Sequence, residues 1–480
     1  MGTEGRTGGA PPAAKIARSS GVLAVSAGVV GVLSYACTLL MATMLSTADY
    51  TRFAAAAMML GMVGIVASAL VPLPLSHVVA VHPAGSLERR DGMAFSVFVS
   101  GLAGVAAALV TGTITLALGS PSLAGAVALG SMAIFAVTAP AGWLQGELRF
   151  SWYAVTNVGE VLARFLFSLL VVALAWGAGG AVLGFAVGSV VPLVVPASFY
   201  RDLQWRPSVL RERGRWAETG DIASVLCVVS VLVGLDVVVV GFLDGGSVPA
   251  AGFQALATIA KGPVYVAAGT ALVAFPLLRT PGADIRQVLT DAFTSFGELA
   301  VVAFSIIATA PHTVAGIIIP AKYHGSLASL PWLAAAGLGY AVIMVLSTIL
   351  LALGAYRRCQ LGLVFATALI LAALWGGWQL QGVAGLTIGS ALGSVAAALV
   401  LAAMARPVMN GRSGKRNRAR PLCLAVAVVA ALAAAAWLHP VVWLILAAAV
   451  GAAALIRQRG QGAPRPASAA AHQRHAGGRP

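Results

Sequence analysis

The feature that most constrains this chain is a succession of apolar runs, each about as long as a lipid bilayer is thick. About 20 helical residues cross the hydrocarbon core, and roughly fourteen such runs follow one another here. A bilayer offers no water to the backbone, so these runs must satisfy their own N–H and C=O groups as helices. The sequence therefore predicts an all-α, polytopic membrane protein with about 14 transmembrane helices.

Composition excludes a soluble fold. Hydrophobic residues make up 59% of the 480 and charged residues 9%, with a mean hydropathy of +0.93. A soluble domain carries about 25% charged residues. The formal charge of +15 does not predict a nucleic-acid partner, because nearly all Lys and Arg residues fall at one side of the alternating spans. This positive-inside asymmetry predicts that both termini lie in the cytoplasm. Heavy Ala, Gly and Arg usage suggests a GC-rich bacterium, so we expect a protein of the bacterial plasma membrane.

The spans predict an ordered domain organisation. They run near residues 21–45, 53–81, 93–118, 123–144, 151–176, 181–199, 222–243, 251–278, 288–309, 330–355, 361–378, 383–404, 422–438 and 441–456. Disordered tails are expected at 1–14 and 457–480, an N-lobe of six spans at 15–205, a cytoplasmic inter-lobe link at 206–220, a C-lobe of six spans at 221–406, and a basic link with the last two spans at 407–456.

An internal repeat supports the two lobes. The segment AVLGFAVGS at 181–189 matches GVAGLTIGS at 382–390, and the spans that begin near Phe53 and Phe253 align at nearly the same offset. Equivalent spans are separated by an even number of crossings, so the lobes share one orientation and form a pseudo-symmetric, parallel repeat. The GxxxG spacings at 184–188 and 385–389 favour close helix packing.

Ionisable residues inside spans are the candidate functional groups, because each is costly in the bilayer and needs a partner or a cavity. Glu160 and Arg164 are four residues apart on one helix face, which favours an intramembrane charge pair. Asp236 and Lys261 lie at similar depths on consecutive spans. They either pair across the helices or line a central cavity. Glu298 is a further intramembrane acid.

No enzyme motif is present. The sequence contains neither a phosphate-binding loop with Lys-Ser/Thr nor an HExxH or GxSxG motif, and no water-exposed region of catalytic size. The four cysteines are isolated, with no spacing that favours a metal site or a disulfide framework. We therefore expect no catalytic residue, no metal and no cofactor.

Several runs resemble the polysaccharide exporter branch, which includes flippases for lipid-linked oligosaccharides, of the multidrug/oligosaccharidyl-lipid/polysaccharide flippase superfamily. They are LSTADYTRFA at 45–54, LQGELRF at 144–150, DVVVVGFL at 236–243 with AGFQA at 251–255, FP at 275–276 and LGAYRR at 353–358. The resemblance implies two six-helix lobes around a cavity that opens alternately to each side. It also implies a cargo of undecaprenyl-pyrophosphate-linked oligosaccharide, a precursor of cell-surface polysaccharide.

The resemblance also identifies candidate residues of the substrate cavity. It points to Asp49 and Arg52 at the outer mouth, and to Asp236 and Lys261 within. The first span carries no charged residue, whereas relatives that flip the peptidoglycan precursor tend to carry arginines there, so another glycan is favoured. Membrane lipids, the lipid-linked glycan and glycan-synthesis enzymes are the candidate partners.

Two alternatives stay open at this stage. One is a cation-coupled multidrug antiporter of the same superfamily, and the other is a non-transporting membrane scaffold for glycan synthesis.

Overall fold

The computed structural model describes residues 12–117, 120–204, 206–211, 213–279, 284–409 and 419–461. The described residues are helical, with no β-strand among them, as the apolar runs predicted. The α-helices are α1 (Pro12–Met44), α2 (Thr47–Leu70), α3 (Pro72–Val81), α4 (Leu87–Leu116), α5 (Pro121–Ala136), α6 (Thr138–Gly146), α7 (Phe150–Ala173), α8 (Gly177–Gly188), α9 (Val190–Val194), α10 (Ala197–Asp202), α11 (Arg213–Leu243), α12 (Val248–Ala260), α13 (Gly262–Arg279), α14 (Ile285–Ala308), α15 (His312–Ile318), α16 (Leu330–Ala352), α17 (Tyr356–Met409), α18 (Ala419–Leu438) and α19 (Pro440–Gln461), and 3-10 helices lie at Pro207–Arg211 and Ala321–Ser329.

The helices coincide with the predicted spans. Within the described residues, 9 helical stretches are long and apolar enough to cross a membrane. One of them, α17, holds two predicted spans. Three shorter apolar helices lie in α1, α18 and α19, and α12 with α13 covers the remaining span. The predicted all-α, polytopic fold is therefore confirmed.

Helix α17 is two antiparallel arms joined by a sharp turn. Gln381 leaves the helical region at φ −146°, and Gly382 has φ 58° and ψ −133°, a conformation that is open chiefly to glycine. Beyond the turn the chain packs back on itself, so that Gly389 lies beside Leu374 of the first arm. The turn thus converts one continuous helical stretch into the last two spans of the second lobe.

The same packing pattern occurs twice. In the first lobe, α1 packs on α7, and α5 packs on α2, α4 and α8. In the second lobe, α11 packs on α17, and α16 packs on α12, α13, α14 and α17. The central helix of each lobe is therefore the fourth span, and the two six-helix lobes are pseudo-symmetric.

Small residues bring the helices of each lobe into backbone contact. A Cβ at Gly188 would stand 2.6 Å from the carbonyl oxygen of Glu160, and one at Gly184 would stand 2.8 Å from that of Arg164. Any side chain larger than hydrogen would push α8 away from α7. The GxxxG spacing thus packs α8 against α7, the helix that carries Glu160 and Arg164.

The two lobes meet along α2 and α11, and α12 also contacts α1 and α2. Glycines on α11 again allow the close approach. A Cβ at Gly241 would lie 3.1 Å from the Cβ of Ala55, and one at Gly234 would lie 2.8 Å from the Cγ of Met58. Asp236 lies between these two glycines on α11.

The last two helices form a hairpin on the second lobe. Helices α18 and α19 pack on each other and on α14. The indole Nε1 of Trp443 donates a hydrogen bond of 3.0 Å to Thr309 Oγ1, and its side chain is buried among Leu432, Ala435 and Ala447. The hairpin is thus attached to the lobe at its outer end.

Three predicted boundaries differ from the helix ends. The link at 206–220 is mostly helical, because a 3-10 helix covers Pro207–Arg211 and α11 already begins at Arg213. Helix α1 begins at Pro12, inside the predicted tail at 1–14, and α19 continues to Gln461, inside the predicted tail at 457–480. At the start of α11 and at the end of α19, polar helical turns continue the apolar helix, which hydropathy alone does not reveal. The remainder of both predicted tails lies outside the described residues.

A charged network joins the helix ends of the first lobe on the side that the sequence predicts to be cytoplasmic. The side chain of Arg89 is 6% exposed, pairs with Glu147, and places Nη2 3.9 Å from Asp202 Oδ2. It also donates a hydrogen bond of 3.4 Å from Nη1 to the carbonyl of Val79. Since a buried charge needs partners, one arginine here connects four helix ends.

Replacing Arg89 with Met should destabilise the protein by about 3–5 kcal/mol, because Glu147 would remain as an unpaired, partly buried carboxylate. The measurement is thermal unfolding in detergent. The matched control is Arg90→Gln, one residue later on α4, whose guanidinium hydrogen-bonds the exposed Gln204. Equal melting temperatures for the two variants would show that the network does not hold the lobe together.

Candidate functional site

Two predicted site residues, Asp236 on α11 and Lys261 between α12 and α13, form a buried ion pair. Lys261 Nζ lies 2.9 Å from Asp236 Oδ1, and the two side chains are 7% and 1% exposed. Of the two arrangements left open by the sequence, the structure shows the direct pair across the helices. Its burial means that neither group is presented to an open cavity in this conformation.

Two further side chains complete the network. Ser390 on the second arm of α17 donates a hydrogen bond of 3.0 Å to Asp236 Oδ2, and its Oγ lies 3.2 Å from the hydroxyl of Tyr340 on α16. Lys261 Nζ is 5.8 Å from the centroid of the Tyr340 ring, within cation–π range. Both carboxylate oxygens of Asp236 are thus engaged, and the network joins spans seven, eight, ten and twelve.

The helix break at Lys261 follows from its neighbours. Pro263 has no N–H to donate to the carbonyl of Ile259, so the helix is interrupted and restarts as α13 at Gly262. On the opposite side, Gly337 of α16 approaches so closely that a Cβ there would lie 3.4 Å from the Cα of Lys261. The break and the glycine together place the lysine side chain inside the lobe.

The network acts as a structural tie in this conformation. Separating a buried ion pair is costly because each charge would lose its partner without gaining water. While Asp236 neutralises the ammonium of Lys261, that ammonium attracts an external anion only weakly. Binding of an anionic cargo by Lys261 would first require the pair to open.

At the predicted outer mouth, Asp49 and Arg52 lie in the first turns of α2. Arg52 Nη1 is 3.9 Å from Asp49 Oδ1, and both side chains are more than a third exposed. Ser46 caps the helix: its Oγ accepts from the N–H of Asp49 at 3.1 Å and donates to Asp49 Oδ2 at 2.8 Å. Asp49 therefore stabilises the helix start, whereas Arg52 remains accessible.

Contacts close to this mouth join the two lobes. Lys322, in the 3-10 helix between α15 and α16, donates a hydrogen bond of 3.1 Å to the carbonyl of Leu45 at the end of α1. The next residue, Tyr323, stacks on Tyr50 of α2 with ring centroids 5.8 Å apart, and both rings are fully buried. We call Leu45, Tyr50, Lys322 and Tyr323 the outer latch, because they close the outer end of the seam.

Glu160 and Arg164 lie together on α7, but their side chains make no ion pair within 4.0 Å among the described residues. Arg164 instead reaches α1, where Nη2 donates a hydrogen bond of 3.1 Å to Ser34 Oγ. Its guanidinium also stacks 4.4 Å from the centroid of the Phe185 ring. Arg164 is thus held by neighbouring helices.

Glu298, the fifth charged residue predicted inside a span, pairs with the terminal hairpin. Arg457 Nη1 on α19 lies 3.5 Å from Glu298 Oε1 on α14. The glutamate side chain is 16% exposed and the arginine side chain 59% exposed, which is typical of a long basic side chain that extends from a helix end. The pair joins the hairpin to the second lobe at its inner end.

Sequence reasoning missed the partners that complete these sites. Ser390 stands in the repeated segment at 382–390, where the pattern drew attention to the glycines. Tyr340, Tyr323 and Arg457 lie in apolar or terminal stretches with no motif, so only their spatial neighbours identify them. Among the described residues, His, Cys, Asp and Glu side chains form no group of three that could hold a metal ion.

No family model matches the chain, and no curated protein matches it in sequence. Its fold, however, is found in solved membrane transporters. The lipid II flippase MurJ, in an inward closed conformation, aligns with a TM-score of 0.69 at 12% identity over 91% of this chain and 99% of MurJ. A multidrug resistance MATE family transporter of the MOP superfamily, in an inward-facing conformation, aligns with a TM-score of 0.60 at 16% identity, covering 80% of this chain and 94% of its own.

The eukaryotic MATE transporter AtDTX14 gives a TM-score of 0.60 at 15% identity over 83% of this chain and all of AtDTX14. Because these sequence identities are low, the likeness establishes a shared fold and nothing more specific.

Replacing Asp236 with Asn should destabilise the protein by about 3–5 kcal/mol, because the buried Lys261 ammonium would lose its partner. The double variant Asp236→Asn, Lys261→Met should recover most of that loss, since no unpaired charge remains. Thermal unfolding of the wild type, both single variants and the double variant gives the coupling free energy. A coupling below about 1 kcal/mol, as for a solvated pair, would contradict the buried arrangement.

Proposed function

We propose that this protein is a flippase that moves an undecaprenyl-pyrophosphate-linked oligosaccharide across the plasma membrane by alternating access of its two lobes. The observation that carries the proposal is that each mid-membrane carboxylate within the described spans has a basic side chain nearby. Asp236 pairs with Lys261, Glu298 pairs with Arg457, and Glu160 has Arg164 one turn away on the same helix. In the described spans, no mid-membrane carboxylate is left without a basic side chain nearby.

This charge pattern suits an anionic cargo better than a cationic one. An exporter of cationic drugs needs a carboxylate that is free to receive the drug or its coupling ion. Here the buried carboxylates already have cationic neighbours, while Arg164 keeps most of its donors. A pyrophosphate carries negative charge and several acceptor oxygens, which a guanidinium recognises well.

The fold likeness supports the same class of cargo. MurJ is a lipid II flippase, and its alignment covers a larger share of this chain than the MATE alignments do. Because the predicted first span carries no charged residue, we propose a glycan other than the peptidoglycan precursor. Membrane lipids and glycan-synthesis enzymes are the proposed partners, and the cytoplasmic arginines face the membrane side on which such enzymes work.

Alternating access requires the lobes to part at the outer end of the seam. The outer latch closes that end, and the phenol hydroxyl of Tyr50 is buried without a hydrogen-bond partner among the described residues. An unsatisfied buried hydroxyl costs free energy, which opening to water would relieve. Rocking must therefore break the hydrogen bond from Lys322 to Leu45 and the stack of Tyr323 on Tyr50, which hold the outer end closed.

Transport is tested by reconstituting the full chain in vesicles. We expect it to move a fluorescent undecaprenyl-pyrophosphate oligosaccharide from one leaflet to the other. The readout is the fraction of label that a membrane-impermeant quencher reaches. Export of a cationic dye against a proton or sodium gradient, without glycolipid movement, would favour the antiporter. Movement of neither substrate by folded protein would favour the scaffold.

Cross-linking the outer latch should stop transport. In a background without native cysteines, Tyr50→Cys and Tyr323→Cys are joined by a short thiol-reactive cross-linker that a reductant cleaves. We expect transport to fall at least about tenfold on cross-linking, equivalent to about 1.4 kcal/mol, and to return on reduction. Full transport by the cross-linked protein would show that the lobes do not part there.

The control pair is Ser224→Cys with Gln360→Cys. Their side chains hydrogen-bond at 3.1 Å within the second lobe, between α11 and α17. Rocking of rigid lobes leaves that distance unchanged, so this cross-link should leave transport intact.

A further inference from the structure

A second polar cluster lies at the seam between the lobes, apart from the Asp236–Lys261 network. It contains Arg164 on α7, Ser34 and Tyr35 on α1, and Tyr265 on α13 of the other lobe. The rings of Tyr35 and Tyr265 meet edge to face with centroids 5.8 Å apart. We call these four residues the seam cluster.

The guanidinium of Arg164 is held in place, but most of its hydrogen-bond donors have no acceptor among the described residues. It has five N–H donors, and the described residues supply one hydrogen bond to them, from Nη2 to Ser34 Oγ at 3.1 Å. Phe185 covers one face of the guanidinium plane. The remaining donors lie in the fork geometry that binds two oxygens of one phosphate.

A purely structural role for Arg164 explains the geometry less well. A buried arginine that serves only to neutralise a carboxylate normally makes a close, often bidentate, pair with it. Glu160 is one turn away, yet the arginine side chain extends to Ser34 on α1 instead. The nearby carboxylate lowers the cost of burying the cation while leaving its hydrogen-bond donors available.

The position of the cluster suits a ligand that lies between the lobes. Arg164 is about 14 Å along α7 from its outer end, at about 1.5 Å per residue, well inside the membrane. Tyr265 is 62% exposed, and its ring meets that of Tyr35 from the other lobe. A ligand between the lobes can therefore contact the open side of the Tyr265 ring.

We infer that the seam cluster binds the phosphate-linked end of the cargo, with Arg164 holding phosphate oxygens and with Tyr35 and Tyr265 contacting the adjoining sugar. The inference rests on the proposed function. Because the two tyrosines come from opposite lobes, a bound phosphosugar contacts both. The affinity for such a ligand therefore depends on the relative position of the lobes. Through this dependence, binding can drive their rocking.

The test measures binding of undecaprenyl pyrophosphate to the full chain in lipid nanodiscs, with undecaprenol as the uncharged comparison. Arg164→Gln should weaken pyrophosphate binding by about tenfold to a hundredfold, the range for one charge-assisted hydrogen-bonded contact. Arg164→Lys should restore binding in part, since it keeps the charge but loses the fork. Arg358→Gln, which removes an exposed cytoplasmic arginine, should bind like the wild type.

Glu160→Gln separates ligand binding from a structural pair. We expect it to bind the pyrophosphate more tightly, because a repelling carboxylate beside Arg164 is removed. If Arg164 and Glu160 serve only the stability of the fold, Glu160→Gln and Arg164→Lys will both lower the melting temperature while leaving pyrophosphate binding unchanged. That result overturns the inference, and it does not depend on whether Arg164→Gln folds.

The outcomes also separate this inference from the proposed function. If the wild type binds undecaprenyl pyrophosphate and both Arg164→Lys and Arg164→Gln bind it equally well, the proposed role of the seam cluster is overturned. The proposed flippase function would still stand. Failure of the folded wild type to bind the pyrophosphate any better than undecaprenol overturns both.

Discussion

The structure depends on one constraint, which is that a bilayer solvates neither backbone polar groups nor charge. Because every backbone N–H and C=O group in the bilayer needs a partner within the protein, the chain forms helices. Breaks in these helices are tolerated only where other parts of the protein cover them. At Lys261 the break lies inside the second lobe, where Gly337 of α16 packs directly against it. At Gln381 and Gly382 the break is the turn between the arms of α17. Irregular backbone within the second lobe therefore occurs where other helices cover it or where the chain reverses.

The same constraint distributes the charges. Asp236 and Lys261 join α11 to the break between α12 and α13, Ser390 adds α17, and Glu298 with Arg457 joins the hairpin to α14. Each pair connects elements within the second lobe and its hairpin. That half of the molecule is consequently tied together by polar contacts at several depths. In the first lobe, Arg164 reaches Ser34 on another helix, and the described residues leave most of its N–H donors without an acceptor. The two halves therefore differ in chemistry although they share a fold.

The two lobes depart from the repeat at the Asp236 network and at the outer latch. Ser189 and Ser390 end the two copies of the repeated segment, but Ser189 donates to Phe185 of the preceding helix, whereas Ser390 donates to Asp236. On the outer side, α4 ends at Leu116 and α5 begins at Pro121, while α15 and a 3-10 helix fill the corresponding connection of the second lobe. That longer connection supplies Lys322 and Tyr323. The latch therefore closes the seam through a segment that the first lobe lacks.

By itself, the sequence determined the all-α membrane fold, the fourteen spans, the two lobes and the mid-span charges worth considering. It could do so because hydropathy, the positive-inside asymmetry and a repeat are properties of the chain in one dimension. The tertiary structure decided whether Asp236 and Lys261 pair or face a cavity, and it supplied Ser390, Tyr340 and Arg457 as partners. It also turned Arg164 from half of a local pair into a residue that faces the seam. Helix rotation and inter-helix distance settle these points, and no spacing along the chain encodes them when partners lie on different spans.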